Sequence, residues 1–343
     1  MDRVNVAVIG LGMGRGHARL YHECPQANLV ALCDVDTTRL NAVGDEFNVT
    51  HRFTSAEELF QLPGLHAVSV ALPNFLHAPM TVAALKAGLH VLCEKPLAMN
   101  AGEAEAMVAA AKAANRQLMV HFNTRFSVPS MWARQMVDAG VVGPVYFGRT
   151  GYNRSRGIPG RGWFAIKAKS GGGPIIDIGV HRLDLALWLM DHPRPVTVSA
   201  ATYAYLGTEL AARQGFEFDV EDLAAGFIRF KNGATLTLEA SWAGNTNRAH
   251  DTFTMLLGTR GGINIYRDEA TSATKVSVVQ EVGGSLVELS PKEQIKPPTA
   301  QAAFVRAILE GKPNPAPGEH GLAVQRILDA LYRSAAEGRE VPV

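Results

Sequence analysis

Over residues 1–122, short apolar runs rich in β-branched residues alternate with amphipathic stretches. Runs at 4–9, 29–33, 67–72, 90–93 and 118–121 predict strands, and the stretches at 78–87 and 102–114 carry helical periodicity and good helix formers. Strands alternating with helices in this way predict βαβ units and a parallel sheet, hence one nucleotide-binding domain over 1–122. The pattern changes after His121. Strand-like runs at 145–152, 196–205, 223–230, 235–242, 252–257 and 262–266 follow one another with little helix between them. Asn232-Gly233 signals a two-residue hairpin, so 123–343 reads as an α+β domain with an open, largely antiparallel sheet. Helices are predicted at 180–190, after Gly171-Gly172-Gly173, and at 300–309 and 321–336 around a Pro-rich link at 312–317. The closing helices are candidates to pack back on the first domain.

Bulk properties narrow the partners. The 343 residues carry 33 Lys plus Arg against 32 Asp plus Glu, which gives no basic excess for nucleic acid and no solvating tail. The chain enters an apolar strand directly after Met1-Asp2-Arg3, and no run has the length of a membrane span, so neither a signal peptide nor a membrane is expected. Cys24, Cys33 and Cys93 are odd in number and lack C-x-x-C spacing, which fits a reducing cytoplasm. A small-molecule partner is the expectation.

The first strand runs into Gly10-Leu11-Gly12-Met13-Gly14-Arg15-Gly16-His17. Glycines at a strand-to-helix turn admit a pyrophosphate, which the helix N-terminus stabilises, so Gly10, Gly12, Met13 and Gly14 are cofactor candidates on an α/β Rossmann domain. Arg15 stands where the third fingerprint glycine would fall, and the turn reads as one residue short. Asp34 ends the second strand, where it can accept from a ribose 2′-hydroxyl and repel a 2′-phosphate, which favours NAD over NADP although Arg39 is close. The competing reading, an N-cap for the next helix, suits Asp36 better. Pro73 and Asn74 form the turn after the third run. His77 lies near a helix start, where capping and cofactor contact stand as equal readings.

Lys95 follows the run His90-Val91-Leu92-Cys93-Glu94, so it emerges at a strand's carboxyl end, where ligands bind in open α/β sheets. Asp177, His181 and Asp184 are spaced i, i+4 and i+7, which places them on one helix face if the helix starts early enough. Oxidising a secondary alcohol needs a base, which His181 suits, and a donor for the alkoxide oxygen, which Lys95 suits. Asp177 can orient the imidazole or accept a substrate hydroxyl. A nearby lysine opposes a metal at this cluster, and none is expected. Arg125, Tyr152, Arg154, Arg156, Trp163, Lys167 and Lys169 supply donors and an aromatic face as candidate substrate contacts. The alternative is solvated cations, with Trp163 and Phe164 plugged into a core.

Together, residues 10–17, Pro73-Asn74-x-x-His77, Glu94-Lys95-Pro96, the triple glycine and Asp177-x-Gly179-x-His181-x-x-Asp184 resemble the Gfo/Idh/MocA oxidoreductases along essentially the whole chain. The resemblance implies NAD(P)-dependent oxidation or reduction of sugars, cyclitols and related polyols, and a homodimer or homotetramer formed through the C-terminal sheet. It matches Lys95, Asp177 and His181 to the family's active-site residues, matches Asn74 and Glu94 to cofactor-contacting positions, and implies a cis proline at Pro96. Two other readings remain: a glycosidase that keeps NAD bound, and a non-enzymatic nucleotide sensor, against which the intact Lys95, Asp177 and His181 argue.

Overall fold

The computed structural model describes residues 2–160, 162–292 and 295–343. The chain forms two compact units, Met1–Phe122 with Pro298–Gln325, and Asn123–Pro297 with Arg326–Val343.

In the first unit, strands β1 (Val4–Ile9), β2 (Ala27–Cys33), β3 (His51–Phe53), β4 (Ala67–Val70), β5 (His90–Cys93) and β6 (Leu118–Val120) make one sheet in the order β3-β2-β1-β4-β5-β6. Every pairing is parallel. The mostly apolar runs of β1 and β4, interrupted only by Asn5 and Ser69, are explained by burial on both faces. The strand order reverses between β1 and β4, the topological switch point outside which dinucleotides bind. β3 escapes the sequence pattern because His51-Arg52-Phe53 is short and at least partly exposed, an edge strand with no apolar run. The helix Ala300–Glu310 packs on the helix Leu11–His22 and on β1 and β5. The Pro-rich link is held against β6: Asn314 donates to the Leu118 carbonyl at 3.2 Å and the Val120 amide donates to the Ala316 carbonyl at 2.8 Å.

The second unit contains β7 (Val145–Arg154), β8 (Pro195–Tyr203), β9 (Leu223–Phe230), β10 (Thr235–Ser241), β11 (His250–Gly258), β12 (Gly261–Arg267), β13 (Thr274–Val282), β14 (Ser285–Leu289) and β15 (Val341–Pro342). They form one sheet, β14-β13-β12-β11-β7-β10-β9-β8-β15. All neighbours are antiparallel except β7 and β10, which run parallel with Tyr152 beside Ala240. The helices Val128–Asp138 and Val180–Leu189 pack on the sheet. The first of these, not among the helices expected for this half, begins with a Ser127 cap and an early proline. The hairpin after β9 differs from the expected two-residue loop. Gly233, at φ 85°, donates to the Phe230 carbonyl, and Phe230 donates to the Ala234 carbonyl. The loop is therefore three residues ending in a left-handed glycine.

Candidate active site

In the first unit the expected cofactor residues cluster at the carboxyl ends of β1, β2, β4 and β5, where Asp34, His77 and Glu94 make buried polar contacts. Gly10 has φ 83°, and a Cβ there would lie 2.5 Å from the Ala71 carbonyl oxygen, so only glycine fits. A Cβ on Gly14 would meet Val8 Cγ1 at 2.7 Å, so Gly14 lets the helix approach β1. That is the third fingerprint glycine's duty. It explains why Arg15, exposed and paired with Glu46, can occupy the position where that glycine was expected. A Cβ on Gly12 would meet nothing within 4 Å, and Met13 is 71% exposed, so the helix's first turn opens onto free space. Beyond the Leu11 amide, which Asp34 accepts, first-turn amides facing free space fit a dinucleotide pyrophosphate.

Asp34 is buried and accepts from the Leu11 amide at 2.7 Å and the Asp36 amide at 2.8 Å, tying the glycine turn to the end of β2. Arg39 bridges Asp34 and Asp36, and Asp36 rather than Asp34 caps the following helix. Asn74 is buried in a 3-10 turn after Pro73. His77 departs from both sequence readings. It is 1% exposed, with Nδ1 2.7 Å from the Pro96 carbonyl and Nε2 2.8 Å from that of Leu72, so it ties together the turns bearing Asn74 and Lys95. Burial lowers its pKa, against the pull of both carbonyls.

Lys95 is half-buried beside a cis bond to Pro96. Glu94 points inward: Oε1 accepts from His17 Nε2 at 2.9 Å and His121 Nδ1 at 2.8 Å, while Oε2 accepts the Lys95 amide at 3.0 Å. Burial would push its pKa up, but the His121 charge and hydrogen bonds from both imidazoles hold it well below the usual carboxylate range. Burial and His121 lower His17, whose Nδ1 lies 2.8 Å from Ser69 Oγ. These three side chains are close enough to hold a metal ion. Their short hydrogen bonds instead make them the foundation of the Lys95 turn.

In the second unit, Asp177 lies in a widened π-helical turn, Ile175–Gly179, that leads into the helix Val180–Leu189. Such turns often occur at functional sites. Asp177 and His181 are half-buried, and Trp242 Nε1 donates to Asp177 Oδ2 at 3.0 Å. Asp184, three residues after His181 in the regular helix, does not join them. That residue is 0% exposed and takes a two-pronged bond from Arg125, Nη2 to Oδ1 at 2.5 Å and Nε to Oδ2 at 2.9 Å. Burial pushes the Asp184 carboxyl up while Arg125 pulls it down. Arg125, 1% exposed and 5.5 Å from the Trp188 ring centroid, is therefore a core ion pair rather than the expected substrate donor.

The start of the π turn is anchored by Glu221, a residue without a sequence signal. Its carboxylate accepts from the Gly173 amide at 2.9 Å, the Ile175 amide at 3.2 Å and Tyr332 at 2.9 Å. Burial raises the Glu221 pKa and, with Glu221's charge, raises Tyr332 well above its ordinary value. A Cβ on Gly172 would lie 2.0 Å from the Tyr332 hydroxyl and one on Gly173 2.1 Å from the Glu221 carbonyl, which explains the paired glycines. Tyr152 and Arg154 are half-buried neighbours, Arg154 Nη2 donating to the Tyr152 hydroxyl at 3.2 Å. Trp163 stacks on Phe164 with centroids 4.0 Å apart, while Lys167 and Lys169 are exposed.

Residues 4–122 match the family model described as an oxidoreductase family with an NAD-binding Rossmann fold, and residues 131–264 match the GFO/IDH/MocA C-terminal domain. The chain belongs to the Gfo/Idh/MocA oxidoreductases. It is 31% identical to the D-glucoside 3-dehydrogenase of Escherichia coli (strain K12), covering 98% of this chain and 97% of that one. The aldose-aldose oxidoreductase of Caulobacter crescentus, solved with glycerol, superposes with a TM-score of 0.84 at 31% identity over 99% of this chain and 100% of that one. Levoglucosan dehydrogenase in complex with NADH gives 0.87 at 25% identity over 99% of each chain. This Gfo/Idh/MocA member is thus an NAD-binding oxidoreductase, and its fold is the expected pairing of a Rossmann sheet with a mixed, mostly antiparallel one.

Proposed function

We propose that this oxidoreductase interconverts a secondary alcohol and a ketone on a sugar, sugar derivative or cyclitol, using NAD. Relatives named for glucoside, levoglucosan and myo-inositol dehydrogenation support the substrate class. The observation that carries the reading is the helix start where Trp242 fixes Asp177 one turn before His181, following Glu94-Lys95-Pro96 in the family order.

When bound, the nicotinamide exchanges hydride with the reacting carbon. Gly12, Met13 and Gly14 would hold the pyrophosphate, Asp34 would accept a ribose hydroxyl with its remaining lone pairs, and Asn74 would meet the nicotinamide ribose. Lys95 donates to the reacting oxygen and favours its negative form. His181 takes the hydroxyl proton in oxidation and returns it in reduction. Asp177, its carboxylate oriented by Trp242, accepts a substrate hydroxyl or orients His181. Tyr152, Arg154 and Trp163 serve as further substrate contacts.

Among the described residues no helix is long and apolar enough to cross a membrane. Three unpaired cysteines support the cytoplasm as the compartment. A homodimer or homotetramer through the second sheet is supported by Phe147, Phe227, Phe253 and Met255, which remain half-exposed on the strand positions alternating with the buried ones.

The test is NADH formation by the purified protein across glucosides, anhydrosugars and inositols, with NAD or NADP and with Lys95→Ala. We expect turnover with NAD that falls about 100- to 1000-fold in the variant. NAD binding without turnover of any compound would sink the enzyme reading. Glycoside cleavage without net NADH would replace it with the bound-cofactor glycosidase.

A further inference from the structure

Arg182, next to His181, is a buried cation with no acidic partner among the described residues. It is 9% exposed, and its Nε–H makes no hydrogen bond. Burial pulls its pKa down to about 10, opposed only by the nearby Tyr152, so it stays charged at neutral pH. Two other enclosed arginines of the unit are neutralised: Arg125 pairs with Asp184, and Arg134 with Asp138 and Asp191. A bare buried guanidinium is costly unless a ligand meets it.

Its surroundings repeat the deficit. Thr150 Oγ donates to the Arg182 carbonyl at 3.3 Å, which seats the start of the helix over β7, and Tyr152 and Arg154 follow at alternate positions along that strand. The Arg154 guanidinium carbon lies 4.9 Å from the Tyr152 ring centroid, and its Nε–H is likewise buried without a partner. His250 sits opposite Arg154 in the ladder, and its pKa is lowered by burial and by the charges of Arg154 and Arg267. Among the described residues no carboxylate forms an ion pair with Arg154 or Arg182, while Asp177 Oδ2 is occupied by Trp242. A neutral sugar hydroxyl can accept a hydrogen bond here but cannot balance the charge. An oxyanion can do both, accepting side-on from Nε–H and Nη–H.

We propose that Arg182, Tyr152 and Arg154 form an oxyanion subsite, so that the preferred substrate is a sugar carrying a carboxylate or phosphate ester rather than its neutral counterpart. This rests on the sugar-oxidoreductase reading above. The subsite determines specificity, and the redox carbon lies elsewhere on the same sugar.

The experiment uses the full chain with saturating NAD and measures both calorimetric binding and NADH formation for D-glucuronate, D-gluconate and D-glucose 6-phosphate against D-glucose. Wild type is compared with Arg182→Met and Arg154→Met, and thermal melts check folding. We expect at least one anionic sugar to bind about 10- to 100-fold tighter than glucose, and that margin to shrink to a few-fold in both variants while each still melts cooperatively. The carboxylate and phosphate arms show which oxyanion is taken. Equal binding of anionic and neutral sugars by the wild type, or a margin that survives in both folded variants, overturns the subsite. Turnover of neutral sugars without an anionic preference would leave the oxidoreductase reading intact and remove this one. Arginine-dependent binding of an anionic sugar without NADH formation would do the reverse.

Discussion

The two units solve the same problem, holding polar groups ready for a ligand, in opposite ways. In the first, Asp34, His77 and Glu94 turn inward and fasten loops, so that backbone at the strand ends is left to face outward. In the second, side chains face outward and what is fastened is a helix start, gripped by Glu221 from behind. Backbone amides suit a diphosphate common to many enzymes, whereas an array of indole, imidazole and guanidinium groups suits one substrate. The difference teaches where variation can enter without loss of the cofactor.

The severest way to break this contrast is at its structural base. Arg125→Met should destabilise the protein by about 3–5 kcal/mol because Asp184 is left buried and uncompensated, and the double variant Arg125→Met/Asp184→Leu should recover most of that loss. Urea denaturation checks both. Recovery that fails in the double variant would show that Arg125 does more than neutralise Asp184.

Glu221→Gln tests the second unit's grip. The amide keeps an acceptor for one backbone N–H but loses the charge, and we expect kcat to fall about 10- to 100-fold as the helix start shifts, with the NAD dissociation constant unchanged. A parallel loss of NAD affinity would erase the distinction between the units. The mirror experiment is Asp34→Asn. It should weaken NAD binding by about tenfold and narrow the NAD over NADP preference, with sugar binding little altered, as read by cofactor titration.

The smallest expected effect is a pH dependence confined to the first unit. Burial, with Arg116 and His66 adding to it, lowers His90 to about 4, and its Nδ1 accepts the Gln117 amide at 2.9 Å, a bond to the neutral form. A histidine near 6.5 when unfolded and lower when folded contributes stability that is fully present above about pH 6.5 and is lost as pH falls toward 4. Thermal melts across that window should therefore decline, and less steeply in His90→Gln. Identical slopes for the two proteins would remove His90 as a source.

Most of the first unit could be read along the chain, because its turns depend on local glycine spacing and on strand ends that short apolar runs mark. The turn one residue short is an example: with Arg15 at the usual glycine position, Gly14 makes the close approach to β1. The second unit was readable as a list of strands and as the Asp177–His181 pair. Helical spacing grouped Asp184 with that pair because it cannot show that Arg125, 59 residues away in the chain, draws the carboxylate into the core. Glu221 and Trp242 were invisible for a different reason. Each reaches Asp177's segment from tens of residues away through tertiary packing, and neither belongs to a local pattern. Arg125 misled in the other direction, since a cation in a polar stretch looks solvent-facing until its partner is known.

The lone parallel pairing in the second sheet has an evolutionary consequence. Because β7 and β10 point the same way, the chain leaves both at one end, with Arg154 closing the first strand and Trp242 following the second. Segments 155–160 and 243–249 are thus neighbours, tied by the Ser155 amide to the Ala249 carbonyl, that can lengthen, shorten or be exchanged together while every ladder behind them and Trp242 are preserved. Recombining those two segments among relatives is the shortest route to new sugar preferences on an unchanged redox chassis.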